Sequence, residues 1–228
     1  MTVLLRDTEN NLETRARQSQ GGSGAAIYQM VANALHVRRL TGDLLVDVGC
    51  GTGNLWRYVG HRFRRYLGLD AVRYDGFPAE AAFMPADLNQ AAIPLPDSAA
   101  DVVAAVEIIE HLENPRAFMR ELVRLTKPGG LVMITTPNQL SLLSKMTLLW
   151  KNRFNAFQEG CYPAHLTALL EIDLRRIAGE SGLEEIDVCH SGRGRLAFTS
   201  RHYPRFLSCL FPRACSDNVL LIGRKPDA

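Results

Sequence analysis

Leu44-Leu45-Val46-Asp47-Val48-Gly49-Cys50-Gly51-Thr52-Gly53 begins as an apolar run and ends in glycines at alternate positions. A short apolar run without polar alternation is the pattern of a strand buried on both faces, as in a parallel sheet. Glycines directly after it allow positive φ and remove the Cβ atoms that would block a ligand, while the next helix offers free N–H groups to the same space. In open α/β sheets ligands settle beyond the carboxyl ends of the strands, and the turn after the first strand gives the closest backbone approach. The spacing is Gly-x-Gly-x-Gly, because Asn54 stands where the pyrophosphate-cradling Gly-x-Gly-x-x-Gly fingerprint needs its last glycine. The turn therefore predicts a nucleotide-like ligand without a pyrophosphate.

Working outward, the apolar runs at residues 66–70, 82–86, 101–106 and 131–135 predict four more strands, the last introduced by Lys127-Pro128-Gly129-Gly130. Helical spacing predicts helices over 25–40, from Asn114-Pro115 through Leu125, over 140–152 and over 166–181. Residues 183–190 and 218–224 read as two last strands, an antiparallel pair. The fold class is thus α/β, a doubly wound, seven-stranded, Rossmann-like sheet, mostly parallel with an antiparallel last strand. Gln20-Gly21-Gly22-Ser23-Gly24 separates an expected flexible N-terminal arm, residues 1–23, from a single domain over 24–228.

Composition narrows the class. A chain of 228 residues with 46% hydrophobic residues can bury one sizeable core, and a net charge of +2 implies no broad surface for nucleic acid or anionic lipid. Residues 1–20 carry no secretory pattern, and residues 140–150 are too short and too polar to span a bilayer, so a cytoplasmic protein without a transmembrane segment is expected. Five cysteines without CxxC spacing suggest neither a disulfide framework nor a zinc site.

Two aspartates fall in register with the glycines. Asp70 ends the second strand, where a carboxylate can accept hydrogen bonds from ribose hydroxyls, and Asp87 follows the third, where it can accept from an adenine amino group. Each alone would read equally well as a cap. His111, just past the fourth strand, is the candidate general base, against a structural role in the turn before Asn114. Asn138 and His165 are candidate acceptor contacts, each with an ordinary turn or capping role as the alternative.

From residue 44 through Thr136-Pro137-Asn138, including Tyr66-Leu67-Gly68-Leu69-Asp70, Ala86-Asp87-Leu88, Val106-Glu107-Ile108-Ile109-Glu110-His111-Leu112 and Lys127-Pro128-Gly129-Gly130, the chain resembles the class I S-adenosylmethionine-dependent methyltransferases. The Glu-His-Leu segment is similar to the subgroup that includes the ubiquinone-pathway O-methyltransferases. The resemblance implies S-adenosylmethionine as cofactor, with Gly49, Gly51 and Gly53 beside its methionine and ribose portions. It places Asp70 on the ribose diol, Asp87 and Leu88 on the adenine, and Asp47 and Glu107 near the methionine end. Residues 138–165 occupy the place of a helical substrate lid. One departure is that only sixteen residues, Pro78 among them, separate Asp70 from Asp87, so the usual helix there must be short or distorted.

Some relatives hold a divalent ion through two glutamates and the next histidine, and Glu107, Glu110 and His111 have that spacing; a capping or solvated role is the preferred reading, and no metal is expected. The expected reaction is methyl transfer to a small-molecule or lipid-linked acceptor, foremost a hydroxyl, by a monomer or homodimer with peripheral membrane contact open. A non-catalytic cofactor-binding or interaction protein is the alternative, and a nicotinamide-dependent oxidoreductase fits the glycine spacing less well. Nucleic acid is not an expected partner: Glu107-Ile108-Ile109-Glu110 stands where base-amine methylases place an Asn/Asp-Pro-Pro-aromatic turn, and no Pro-Cys pair exists. From Ser191 onward seven basic residues face two acidic ones, a scattered charge that reads as a solvated face.

Overall fold

The computed structural model describes residues 21–89, 92–197 and 199–227. Seven strands form one sheet: β1 (Gly42–Val48), β2 (Phe63–Asp70), β3 (Ala82–Pro85), β4 (Ala100–Val106), β5 (Thr126–Pro137), β6 (Glu184–His190) and β7 (Asn218–Arg224). Their order is β3-β2-β1-β4-β5-β7-β6, parallel throughout except for β7, which runs antiparallel between β5 and β6. Chain order reverses direction between β1 and β4, and that switch point opens the crevice in which doubly wound sheets bind ligands.

Helices cover both faces because β1 alternates its burial between two cores. Leu45 points to α1 (Ala25–Val37) and α2 (Asn54–Val59), packing with Val31, Leu35, Leu55 and Val59. Val46 and Val48 point the other way, to α3 (Pro115–Leu125) and α5 (Glu171–Glu180), packing with Met119, Leu122 and Leu174. Two further helices, α4 (Leu142–Lys151) and α6 (Arg205–Leu210), lie in the connections beyond β5 and β6. Asn114 caps α3 by accepting from the Ala117 N–H at 3.0 Å, with Pro115 at the first helical position, and the Ser141 hydroxyl caps α4 by accepting from the Ser144 N–H at 3.1 Å. Among the described residues no helix is long and apolar enough to cross a membrane.

Several boundaries differ from the sequence reading for identifiable reasons. α1 stops at Val37, before Thr41-Gly42, because Arg39 turns to φ 50° and the Leu40 N–H closes on the Leu35 carbonyl at 3.0 Å. The helix expected from residue 166 starts only at Glu171: the N–H groups of Leu166 and Thr167 both donate to the Glu110 carbonyl, at 2.8 and 3.0 Å, and hold that stretch extended. β5 begins at Thr126, so Lys127-Pro128-Gly129-Gly130 is an irregularity inside the strand, pairing Thr126 with Ala100 before the ladder resumes at Leu131 and Val102. Of the expected arm, residues 1–20 lie outside the described residues; Gly21–Ser23 lie against the glycine turn.

The short crossover between β2 and β3 contains no helix, where the sequence reading expected a short or distorted one. Phe77 fills the space instead, buried edge-on to Phe83 and lying under Gly53 and Gly68. Phe77→Ala is therefore expected to cost about 3–5 kcal/mol of stability, readable by chemical denaturation, because no neighbouring helix can collapse into the void.

Candidate functional site

A cavity of about 660 Å³ opens at the carboxyl edge of the sheet, between the turns after β1, β2, β3 and β4. The size suits a nucleoside-sized ligand with room for a second reactant. Gly49 and Gly51 form one wall, and Gly21, Gly22, Ser23 and Gly24 close over it. Gly51, at φ 51°, is pressed so closely by the Gly21 carbonyl that a Cβ would sit 2.0 Å from that oxygen, which also accepts from the Thr52 N–H at 2.7 Å and hydroxyl at 3.1 Å. Only glycine tolerates that approach in that conformation. Gly53 does not line the cavity. Its Cβ would strike Pro78 and Phe77, so this third glycine, expected beside the cofactor, is required here by packing.

Four carboxylates line the cavity, Asp47, Asp70, Glu107 and Glu110, together with His111 and His165 and no Lys or Arg among the described lining residues. Asp47 is buried near the end of β1. The Tyr66 hydroxyl donates to its Oδ2, and Oδ1 has no hydrogen-bond partner among the described residues. Burial pushes its pKa up to about 7, against the lowering effect of the Tyr66 hydrogen bond. Glu107, at φ 52°, accepts from Asn218 at 2.7 Å on Oε2, while Oε1 is buried without a partner among the described residues. Its pKa is also raised by burial, as is that of its buried neighbour Glu110. Asp70 accepts from the N–H groups of Gly51 at 2.8 Å and Ala71 at 2.7 Å, which fix its carboxylate at the wall.

The two histidines meet where the 160–165 segment passes over the turn after β4. Their ring centroids are 4.7 Å apart, edge to face. His111 Nδ1 lies 2.8 Å from the Ala164 carbonyl and His165 Nδ1 lies 2.6 Å from the Ala156 carbonyl. A carbonyl only accepts, so each Nδ1 carries a proton. Burial lowers the His165 pKa and keeps that ring neutral. Ligand atoms of Glu110, His111 and His165 lie within 4.8 Å of one another, close enough to share one metal ion. The set differs from the Glu107, Glu110, His111 spacing in the sequence, because Glu107 turns to Asn218 and the distant His165 takes its place.

Two expected contacts are not brought to the cavity. Asn138 is buried and spends its side chain on the carbonyls of Arg213 at 2.7 Å and Ser216 at 2.8 Å and on the Leu140 N–H at 3.0 Å, so it braces the end of β5. Asp87 accepts from the Asn89 N–H at 3.0 Å and shapes the turn whose neighbours Ala86, Leu88 and Asn89 supply the wall. Leu88 lines the cavity. Sequence reasoning missed Tyr66 and Asn218, and it weighed Glu110 only as a possible metal ligand. The first two lie on strands as ordinary polar exceptions, and nothing local marks them as partners of cavity carboxylates.

With this geometry, comparison with known proteins is informative. A family profile described as a methyltransferase domain matches residues 26–187. A probable S-adenosylmethionine-dependent methyltransferase of Mycolicibacterium smegmatis is 31% identical over 176 residues, 73% of this chain and 65% of that protein. A ubiquinone biosynthesis O-methyltransferase of Rhodopseudomonas palustris is 30% identical over 124 residues, 50% of this chain and 48% of the relative. The chain thus spans less than two thirds of the length of these curated relatives. The crystal structure of a SAM-dependent methyltransferase from Archaeoglobus fulgidus superposes with a TM-score of 0.63 at 16% identity, covering 91% of this chain and 97% of that one, a likeness of fold. Fold, glycine turn and family profile agree: the chain belongs to the methyltransferase domain family.

Proposed function

We propose that the chain binds S-adenosylmethionine in this cavity and transfers its methyl group to a hydroxyl of a small or lipid-linked acceptor. The observation that carries the reading is the charge of the wall: four carboxylates and no Lys or Arg among the described lining residues. Such a wall repels the pyrophosphate of a dinucleotide and attracts a cation, which weighs against the oxidoreductase alternative. Buried acceptors with no partner, Asp47 Oδ1 and Glu107 Oε1, suit the α-amino group of a methionine moiety, and Asp70 suits a ribose diol. Leu88, with Ala86 and Asn89, would pack against the adenine.

When bound, S-adenosylmethionine supplies a methyl carbon on a cationic sulfur, an electrophile that needs alignment and dryness more than acid catalysis. Gly21–Gly24 on one side and the 160–165 segment on the other exclude water from the reacting centre. The His111 Nε2 lone pair would take the acceptor hydroxyl proton as the oxygen–carbon bond forms and the sulfur–carbon bond breaks. An anionic carboxylate acceptor would meet Glu107 and Glu110, which favours a hydroxyl.

The grouping of Glu110, His111 and His165 favours a second reading of the same reaction, in which a divalent cation on these three residues polarises the acceptor oxygen. Each ring donating Nδ1–H to a backbone carbonyl is the usual support of a metal-bound histidine. Under the first reading, chelator-treated protein keeps its transfer activity and His111→Ala loses it, by about 10²–10⁴-fold. Loss on chelation, with recovery on adding a divalent metal, would select the second.

Asp70→Ala is expected to abolish cofactor binding in calorimetric titration, and Glu107→Gln to weaken it at least tenfold; intact binding in both would remove the proposed binding mode. A cation at Asp47 requires the ionised carboxylate, whose pKa in the folded protein is about 7. Cofactor affinity should therefore rise with pH, by up to about tenfold per unit below pH 7, and level off above it. Without ligand the raised pKa has the opposite sign for stability: the folded state holds the proton more tightly than the unfolded one, so stability falls as pH climbs from the ordinary aspartate range through 7. Asp47→Asn should make both profiles shallower, leaving the part that Glu107 and Glu110 contribute.

A further inference from the structure

Two connections beside the cavity share an unusual composition. Residues 138–158 contain Lys145, Lys151 and Arg153 and no acid, and residues 191–216 contain five arginines and no acid. The same two segments hold seven of the ten large apolar side chains exposed among the described residues, led by Leu149 at 88% and Trp150 at 74%, with Phe206, Leu210 and Phe211 in the second segment. Arg153, Arg195 and Arg213 have acidic partners, whereas Lys145, Lys151, Arg193, Arg201 and Arg205 are exposed with no ion pair among the described residues.

The fold makes these segments one rim. α4 follows the end of β5, and residues 191–217 join the end of β6 to the start of β7. Both β5 and β6 pair antiparallel with β7, so both connections emerge at the carboxyl edge, the edge that carries the cavity. They are fastened by the Leu142 N–H donating to the Ala214 carbonyl at 2.8 Å and by Asn138 donating to Arg213 and Ser216. The Asn155 N–H donates to the Ser144 hydroxyl at 3.2 Å and ties the rim to the segment that reaches Tyr162, an exposed ring on the cavity wall.

Charge and apolar surface are interleaved on this rim. Leu142, Lys145 and Leu149 share one face of α4 at spacings of three and four, and Arg205 adjoins Phe206 on α6. Protein interfaces gather apolar groups centrally and depress Lys, whereas a bilayer surface accepts aromatic and aliphatic side chains alongside cations at the same depth. We propose that this rim seats the protein on an anionic phospholipid surface, with the cavity mouth beside the bilayer. The docking stands apart from the chemistry; only the corollary that the acceptor enters from the lipid rests on the proposed methyl transfer.

The test uses the full chain with vesicles of phosphatidylcholine, with and without phosphatidylglycerol, in a Trp56→Phe background so that Trp150 alone reports. Cosedimentation and a blue shift of Trp150 emission with the anionic vesicles only, both weakened by salt, are expected. Lys145→Gln and Lys151→Gln should each lower partition about fivefold, and Leu149→Asp should abolish it, with circular dichroism and S-adenosylmethionine affinity unchanged. No partition onto anionic vesicles, or partition untouched by these variants, overturns the proposal. So does a concentration-dependent dimer that Leu149→Asp dissociates, since the rim would then be a subunit interface. Vesicle binding by a protein that fails to bind S-adenosylmethionine would leave the docking standing and remove the reading of function.

Discussion

Two carboxylate oxygens, Asp47 Oδ1 and Glu107 Oε1, are buried at the carboxyl edge of the sheet with no donor among the described residues. Withdrawing a carboxylate from water without a partner is costly, and both groups respond by holding their protons more tightly. The cost is tolerable only because the remaining oxygens are fixed, Asp47 by Tyr66 from β2 and Glu107 by Asn218 from β7. Strands on both sides of β1 and β4 are therefore committed to holding an acidic cavity open. A cation entering it would relieve the protein as well as bind to it.

The glycine turn looks like a uniform ligand-binding device, yet its positions divide the work. Gly51 admits the backbone of Gly21, which turns the start of the described chain into a cover over the cavity. Gly53 admits Phe77 and Pro78, the compact substitute for a crossover helix. Acceptor-side chemistry is assembled separately, by the extended 166–170 stretch that pins itself to the Glu110 carbonyl and so brings His165 against His111. The protein is acidic within the cavity and basic with exposed aromatics on its rim, which separates the field felt by a bound cation from the field felt by an approaching surface.

Much of this was legible in the residues. Apolar runs located the inner strands, since a strand buried on both faces leaves no polar alternation, and the short span with Pro78 marked the crossover after β2 as unusual, although the short or distorted helix expected there is absent. Boundaries failed where a distant group overrode local pattern: the stretch from residue 166 has helical spacing, but Leu166 and Thr167 give their N–H groups to the Glu110 carbonyl, and the Pro-Gly-Gly turn before residue 131 was absorbed into β5, whose Thr126 pairs with Ala100 of β4. Asn138 looked like an acceptor contact because it follows a strand on the ligand side. Its amide is consumed by carbonyls near residue 215, a demand invisible from the local sequence.

The sequence by itself determined the sheet, the place of the cavity and the glycine, Asp70 and His111 positions, because periodicity and turn chemistry are local and survive without knowledge of distant neighbours. Only the tertiary structure decided which polar groups are left unpartnered, that His165 and not Glu107 joins Glu110 and His111, and that two basic, aromatic connections fuse into one rim. Those outcomes depend on burial and on contacts between residues far apart in the chain, and no local pattern encodes the sum of desolvation and pairing that fixes them.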